Sequence, residues 1–333
     1  MPQGGKVLLM RGCRRATQKK KMNRTMQDLL LKENKGVTLI ELMVALVISA
    51  VLVAGTYSIF ISQQRTYIAQ DQIVGAQQDG RTALTIMARD IRMAGMLTGM
   101  DGFSVYDGST YATEAITPTN NNGGTGLDKV RVVYAAEEFI AGVPPAPVYV
   151  TNVNGSDVIL SASISGFFND GTGTTKRSYV AFEGYNSVYQ IASGGVSGST
   201  LTSTAPPPDS LASYSARVFR VRAITYSVVG TELRRNDGEG AQTLAGATNQ
   251  SQVEDLQFAY QVSGDTSWYN TTPAGKTNAD IRAVKINLLM KTPIEDTKDQ
   301  NYSRPALEDR AGSATQDGFR RRVYTTVVKL RNF

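Results

Sequence analysis

Histidine is absent from all 333 residues, so no Ser-His or Cys-His nucleophile and no imidazole-ligated metal can be assembled from this chain. Cysteine is nearly absent: the single one, Cys13, lies in a basic leader, and nothing after it can form a disulfide, an iron–sulfur centre or a thiolate zinc site. Basic charge is also missing where a nucleic-acid binder would need it. The formal charge of +6 comes from residues 1–36, where ten Lys/Arg face only Asp28 and Glu33. The remainder holds 25 basic against 27 acidic residues, so no phosphate-neutralising stripe is expected on the body of the protein.

What is present is one long apolar run. No charge occurs from Leu42 to Gln64, and Leu42–Ile61 (LMVALVISAVLVAGTYSIFI) is almost wholly apolar. Twenty helical residues rise about 30 Å, the thickness of a bilayer's hydrocarbon. Ser49, Thr56 and Ser58 are compatible with burial there because hydroxyls bond back to helix carbonyls. Lys/Arg upstream and Arg65 and Asp71 downstream predict a single pass, N-terminus in the cytoplasm and body outside. A cleaved secretory signal fits less well, since its apolar region spans 7–15 residues and Ala54-Gly55 sits inside the run.

Glu41 stands at the head of this run. As a first-turn anion it is favoured by the helix macrodipole. Its neighbours suggest more: in Lys35-Gly36-Val37-Thr38-Leu39-Ile40-Glu41 a cut after Gly36 would leave a free α-amine on Val37, four residues before the carboxylate. Staggered copies could then pair amine with carboxylate.

At these residues the chain resembles the type IV prepilins, whose leader ends in Gly, then a hydrophobic residue, Thr-Leu-Ile-Glu and a long apolar run. The resemblance implies a prepilin peptidase that cuts between Gly36 and Val37 and N-methylates Val37, with Glu41 as the fifth mature residue serving assembly. Val37 stands where the family usually has Phe, and Ser58 where the major pilins carry a bend-forming proline. Met22 and Met26 are internal starts that would shorten the leader and remove Cys13; any of the starts leaves a mature chain of 297 residues.

Between 62 and 95 proline is absent, and Leu84, Met87, Ile91 and Ala94 recur at steps of 3, 4 and 3. Gln70-Asp71-Gln72, Gln77-Gln78-Asp79 and Arg89-Asp90 are expected on the opposite, wet face, with Arg81, Arg89 and Arg92 solvated or paired. Gly95 is the expected stop. One helix from Val37 to about Gly95 follows, its second half needing an apolar partner.

Past residue 100 the pattern turns to strands and polar loops. Val130–Tyr134, Asp157–Ser163, Ser178–Phe182 and Ser187–Ile191 are short β-like runs; Ala216–Val229, Thr231–Arg235, Val253–Val262, Ile281–Met290 and Arg321–Leu330 are stronger. In Ile281–Met290 the apolar Val284, Ile286 and Leu288 alternate with Lys285, Asn287 and Leu289. Asn120–Gly126, Ser193–Thr200 and Thr204–Asp209 are expected as exposed loops, the last as a divider between two subregions. No strand–helix–strand series appears, which argues against a parallel nucleotide-binding sheet. The expected fold class is α+β and pilin-like: a long N-terminal helix whose first half spans a membrane, with a mostly antiparallel β head packed on its distal half. The parts are a removed leader 1–36, a transmembrane and filament-core helix 37–61, its amphipathic continuation 62–95 and an extracytoplasmic head 96–333.

Ile91–Gly95, Leu233-Arg234-Arg235 with a Gly-rich turn, Val253–Tyr260, Ile281–Met290 and Leu330-Arg331-Asn332 resemble the PilW family of minor pilins, and are similar to J-type minor pseudopilins of type II secretion. The resemblance implies a structural subunit, priming or tip-located, with prepilin peptidase, sibling minor pilins, the major pilin and the inner-membrane assembly platform as partners. Its place would be the inner membrane first, then the pilus at the cell surface. A pseudopilin or a signal-anchored periplasmic binding module is the alternative. No enzyme, cofactor or metal is expected. The oxygen-rich Asn152–Asp157 and Asn169–Gly173 lack the closing Glu of a calcium loop, and Gly171–Ser178 lacks the Gly-Lys-Ser/Thr ending of a phosphate loop.

Overall fold

A computed structural model describes residues 36–333 except 97–104, 107–110, 113, 122–123, 139, 142–145, 165–178, 186, 214, 238–239, 247–250, 297 and 332–333. Leader residues 1–35, Asn169–Gly173 and Gly171–Ser178 therefore lie outside the described residues. The chain divides into two compact units, 1–66 and 67–333.

Helix α1 runs from Leu39 to Arg92, 54 residues, and ends three residues short of the expected stop. The end is set by the next turn: Gly95 adopts φ +73°, a left-handed conformation that glycine enters at no steric cost, and its N–H donates to Val133 O at 2.9 Å. In the first unit the apolar side chains of α1 are exposed from Leu39 to Phe60, and Ser49 and Thr56 bond back to the carbonyls of Ala45 and Leu52 as expected.

In the second unit α1 turns its stripe of Ala83, Leu84, Met87 and Ile91 into the larger of two hydrophobic cores. Each of the three larger side chains contributes about 1.5–3 kcal/mol through burial. Gly80 sits on this stripe because an added Cβ would lie 3.0 Å from the Tyr324 ring and 3.4 Å from Met290 Cγ. Two sequence expectations are corrected here. Gln72 and Asp90, assigned to the wet face, are both buried.

The head is antiparallel throughout its named ladders. Its main strands are β1 (Ile116–Thr119), β2 (Lys129–Glu138), β3 (Val150–Asn154), β4 (Asp157–Leu160), β5 (Tyr179–Phe182), β6 (Val188–Ser197), β7 (Thr200–Ser203), β8 (Val218–Val229), β9 (Glu232–Asn236), β10 (Ala241–Ala245), β11 (Gln252–Val262), β12 (Ile281–Lys291) and β13 (Arg321–Lys329). The first ten form one sheet in the order β10-β9-β8-β5-β6-β7-β4-β3, with β2 also on β8 and β1 on β2. At twelve residues, β8 is long enough to pair β2 along one edge while its two ends take β5 and β9 on the other.

Because strand side chains alternate, β5 serves both cores at once: Tyr179 and Ala181 enter the first, Val180 and Phe182 the second. The second core also takes Leu201, Leu211 and Val218. Thr204–Asp209 therefore connects two members of one core, and does not divide subregions. Ser193–Thr200, expected as an exposed loop, is instead the bulged β6–β7 hairpin. Gly195 permits it, since a Cβ there would meet Thr202 O at 2.6 Å.

The remaining three strands form a sheet in the order β11-β12-β13. Val284, Ile286 and Leu288 join Leu256, Phe258, Tyr260, Tyr324 and Val328 in the first core, as the alternation predicted.

Candidate functional site

Three arrangements carry polar chemistry. The first is the start of α1. Thr38 N–H and Thr38 Oγ1 both donate to Glu41 Oε2, at 2.9 and 2.8 Å, and Glu41 N–H donates back to Thr38 Oγ1 at 3.3 Å. This reciprocal capping box satisfies two otherwise orphaned donors of the first turn. Gly36 has open space around its Cα, Val37 is exposed, and both precede the box. Glu41 thus has a local structural role, and both of its described bonds fall on Oε2, which leaves Oε1 for a donor from elsewhere. One side chain can cap its own helix and still meet an amine from another chain.

The second arrangement is a buried polar lock, missed from the sequence. Asp90 Oδ2 accepts Tyr226 Oη–H at 2.6 Å and Arg235 Nε–H at 2.9 Å, and Oδ1 accepts Tyr134 Oη–H at 3.0 Å. The Asp90 and Arg235 side chains are 1% and 6% exposed. Asp237 lies 3.3 Å from Arg235 Nη1, giving the guanidinium a second carboxylate. Burial and the Asp90 charge push Tyr134 up to about 12 and Tyr226 higher still, so both remain donors. Burial pulls the Arg235 guanidinium down, but the Asp90 bond and charge outweigh it and hold the cation. The lock joins α1 to β2, β8 and β9 at one point. Its signal was present: Asp90 follows Met87 by three residues and precedes Ala94 by four, within the apolar stripe.

The third arrangement lies on the face of β11–β12 turned away from α1. Asp255 is fully buried and is bridged by Arg304 (3.2 Å) and Arg310 (3.1 Å) from the β12–β13 connection. Lys285 reaches Glu308 at 3.0 Å, and Asn287 donates to the same carboxylate at 2.7 Å. The connection is a strap, held over the sheet by ion pairs and with its own Leu307 buried. Nearby, Asp128 accepts Phe258 N–H at 2.8 Å and Asn121 N–H at 3.1 Å; burial, only partly offset by these bonds, raises its pKa to about 6.

These partners are ion pairs and hydrogen bonds that hold the connection and the 121–128 turn to the sheet. Asn152–Asp157 is the β3–β4 turn, and Asp157 is taken by the Thr202 hydroxyl at 2.6 Å. Among the described residues no group of three or more acidic, His or Cys side chains is placed to hold a metal ion.

Among the described residues, α1 is one helix long and apolar enough to cross a membrane, and a β head follows it. Residues 31–57, across the capping box, match the prokaryotic N-terminal methylation motif. Together these place a methylation-motif N-terminus on a membrane-length helix ahead of a β head. Residues 218–332, from β8 to the end of β13 and just beyond, match the family described as Type IV Pilus-assembly protein W. The chain thus carries a PilW region behind an N-terminal methylation motif. No curated protein matches it. Among solved structures it is similar to the Type IV-like pilin TTHA1219 from Thermus thermophilus, at 14% identity and a TM-score of 0.37, over 77% of this chain and 95% of that one.

Proposed function

We propose that the protein is a minor type IV pilin, a structural subunit that primes or tips the pilus. In this reading 1–36 is a leader, 37–61 the membrane and filament-core helix, 62–95 its amphipathic continuation and 96–333 the extracytoplasmic head. Prepilin peptidase cuts between Gly36 and Val37 and methylates Val37. The subunit waits in the inner membrane, N-terminus inside, then moves through the assembly platform to join sibling minor pilins and the major pilin. One observation carries this: an exposed apolar helix whose capped start holds a carboxylate four residues after Val37, on a chain with a PilW region. The large head suits a tip better than repeated packing along a shaft.

The test is the mature N-terminus together with Glu41. Mass spectrometry is expected to find N-methylated Val37; a chain still beginning at Met1 or Met26, or cut after Gly55, would sink the reading. Glu41→Gln keeps the shape and much of the cap but removes the charge, so cleavage should persist. An α-amine left unpaired in an apolar bundle costs about 3–5 kcal/mol, enough to abolish one docking geometry. Recovery of Glu41→Gln protein with sheared pili should fall sharply; recovery at wild-type levels would remove charge pairing as the docking force.

A further inference from the structure

Strand β13 is an outer strand: its ladder runs to β12, and among the described residues no backbone hydrogen bond reaches its other side. The register from Ala283↔Lys329 to Lys291↔Arg321 is unbroken. At its ends Leu330 N–H donates to Arg282 O and Thr292 N–H to Arg320 O, each at 3.0 Å. In an antiparallel ladder hydrogen-bonded pairs alternate, so the even-numbered residues of β13 turn their backbone groups to β12. Arg321, Val323, Thr325, Val327 and Lys329 turn theirs outward.

Sheet edges are usually blunted by proline, a bulge, shortness or a charge in mid-strand. None of these occurs here. The strand is nine residues long, lacks proline and shows no register shift. Its centre, Val323–Val328 (VYTTVV), is uncharged and rich in β-branched residues, a composition suited to pairing with another strand. Val323 and Val327 are 36% and 50% exposed on the face away from α1.

Charge sits only at the strand's ends. Arg321 is already engaged by Glu254 and Asp317; among the described residues Lys329, and Arg322 with its guanidinium 5.7 Å from the Tyr324 ring centre, are the strand's cations without a carboxylate. That distribution selects the occupant. A second copy, paired antiparallel about Thr325, would set Lys329 opposite Arg321, whose charge Glu254 and Asp317 already balance, and Arg322 opposite Val328, so its own β13 would bring no carboxylate to either cation. A strand with an uncharged centre and carboxylates at its ends would supply both cations with a partner.

We propose that the open edge of β13 receives an extended strand from a different, neighbouring pilus subunit. The centre of that strand extends the β11-β12-β13 sheet, and its flanking carboxylates meet Arg322 and Lys329. This rests on the pilin reading and adds to it the surface by which the head is held beside a sibling.

Residue-resolved hydrogen exchange on the full chain tests it, first in detergent alone and then in pili or in the complex with sibling pilins. Alone, the amides of Val323, Thr325 and Val327 should exchange quickly and those of Tyr324, Thr326 and Val328 slowly. In the assembly the first three should slow by about tenfold or more. Val327→Pro removes one outward N–H without touching the β12 ladder. It should leave Tyr324, Thr326 and Val328 protected and lower incorporation. Arg322→Glu with Lys329→Glu, which places no proline in the strand, should lower incorporation too. Fast exchange at Val323, Thr325 and Val327 inside an intact assembly overturns the edge proposal and leaves the pilin reading standing. Slow exchange in the isolated protein at doubled mass assigns the edge to a second copy and overturns the proposed occupant. An uncleaved chain absent from pili removes the pilin reading itself.

Discussion

Replacing Asp90 by Asn tests the buried lock directly. The carboxylate accepts three described bonds, from Tyr226, Arg235 and Tyr134, with both charged partners almost wholly excluded from water. Asn offers one acceptor oxygen and turns an NH2 toward a group that is itself a donor. It therefore loses at least one bond and leaves the Arg235 cation without its principal anion. Breaking a buried pair from one side costs about 3–5 kcal/mol. Asp237, 3.3 Å from Arg235 Nη1, keeps a partial partner and places the expected loss near the lower end, about 3 kcal/mol. That is a large share of a domain's stability of about 5–15 kcal/mol. For a unit of this size it corresponds to a fall in Tm of about 6–12 °C. Thermal denaturation of the detergent-solubilised chain, followed by circular dichroism of the β head, is the assay. The pair Asp90→Leu with Arg235→Met should recover much of the loss, because it removes both desolvated charges together. A single Asp90→Asn variant within about 1 kcal/mol of wild type would refute the claim that this pair locks α1 to the sheet.

Two other sites give independent expectations. Gly80→Val should destabilise the head by about 1–3 kcal/mol, because its side chain meets the Tyr324 ring and Met290, whereas Gly55→Ala, with open space around it, should leave the head unchanged in the same melting experiment. Asp128 holds its proton up to about pH 6 in the folded chain, against an ordinary value of 3.8. Between those values the folded state binds more protons than the unfolded one, so this residue's contribution lowers stability as pH rises from about 4 to 6 and stays level above. Denaturation midpoints across that range should show the decline in wild type and a flatter profile in Asp128→Asn; identical profiles would count against the raised value.

Local pattern was enough to place several elements. Leu42–Ile61 could only be a long apolar helix, since a charge-free run of that length leaves no wet face. Glu41 was expected in the first helical turn and is found there, where it also forms a capping box with Thr38. The alternation of Val284, Ile286 and Leu288 marked one face of β12, and that face enters the first core. Such features follow from neighbours in the chain, where the geometry of one helix or strand determines which side chains share a side.

Pairing and compensation came from farther away. Asp90 looked wet because a carboxylate in isolation costs too much to bury; Arg235, 145 residues later, and Tyr226 make the burial possible. Ser193–Thr200 looked like a loop because Gly and Ser favour turns, yet β7 and its own glycine geometry hold it in a hairpin. Asp255 is buried on β11 because Arg304 and Arg310 come down from the strap to meet it. In each case a polar group's preference depends on whether a distant partner replaces water, and only the folded chain decides which partner arrives.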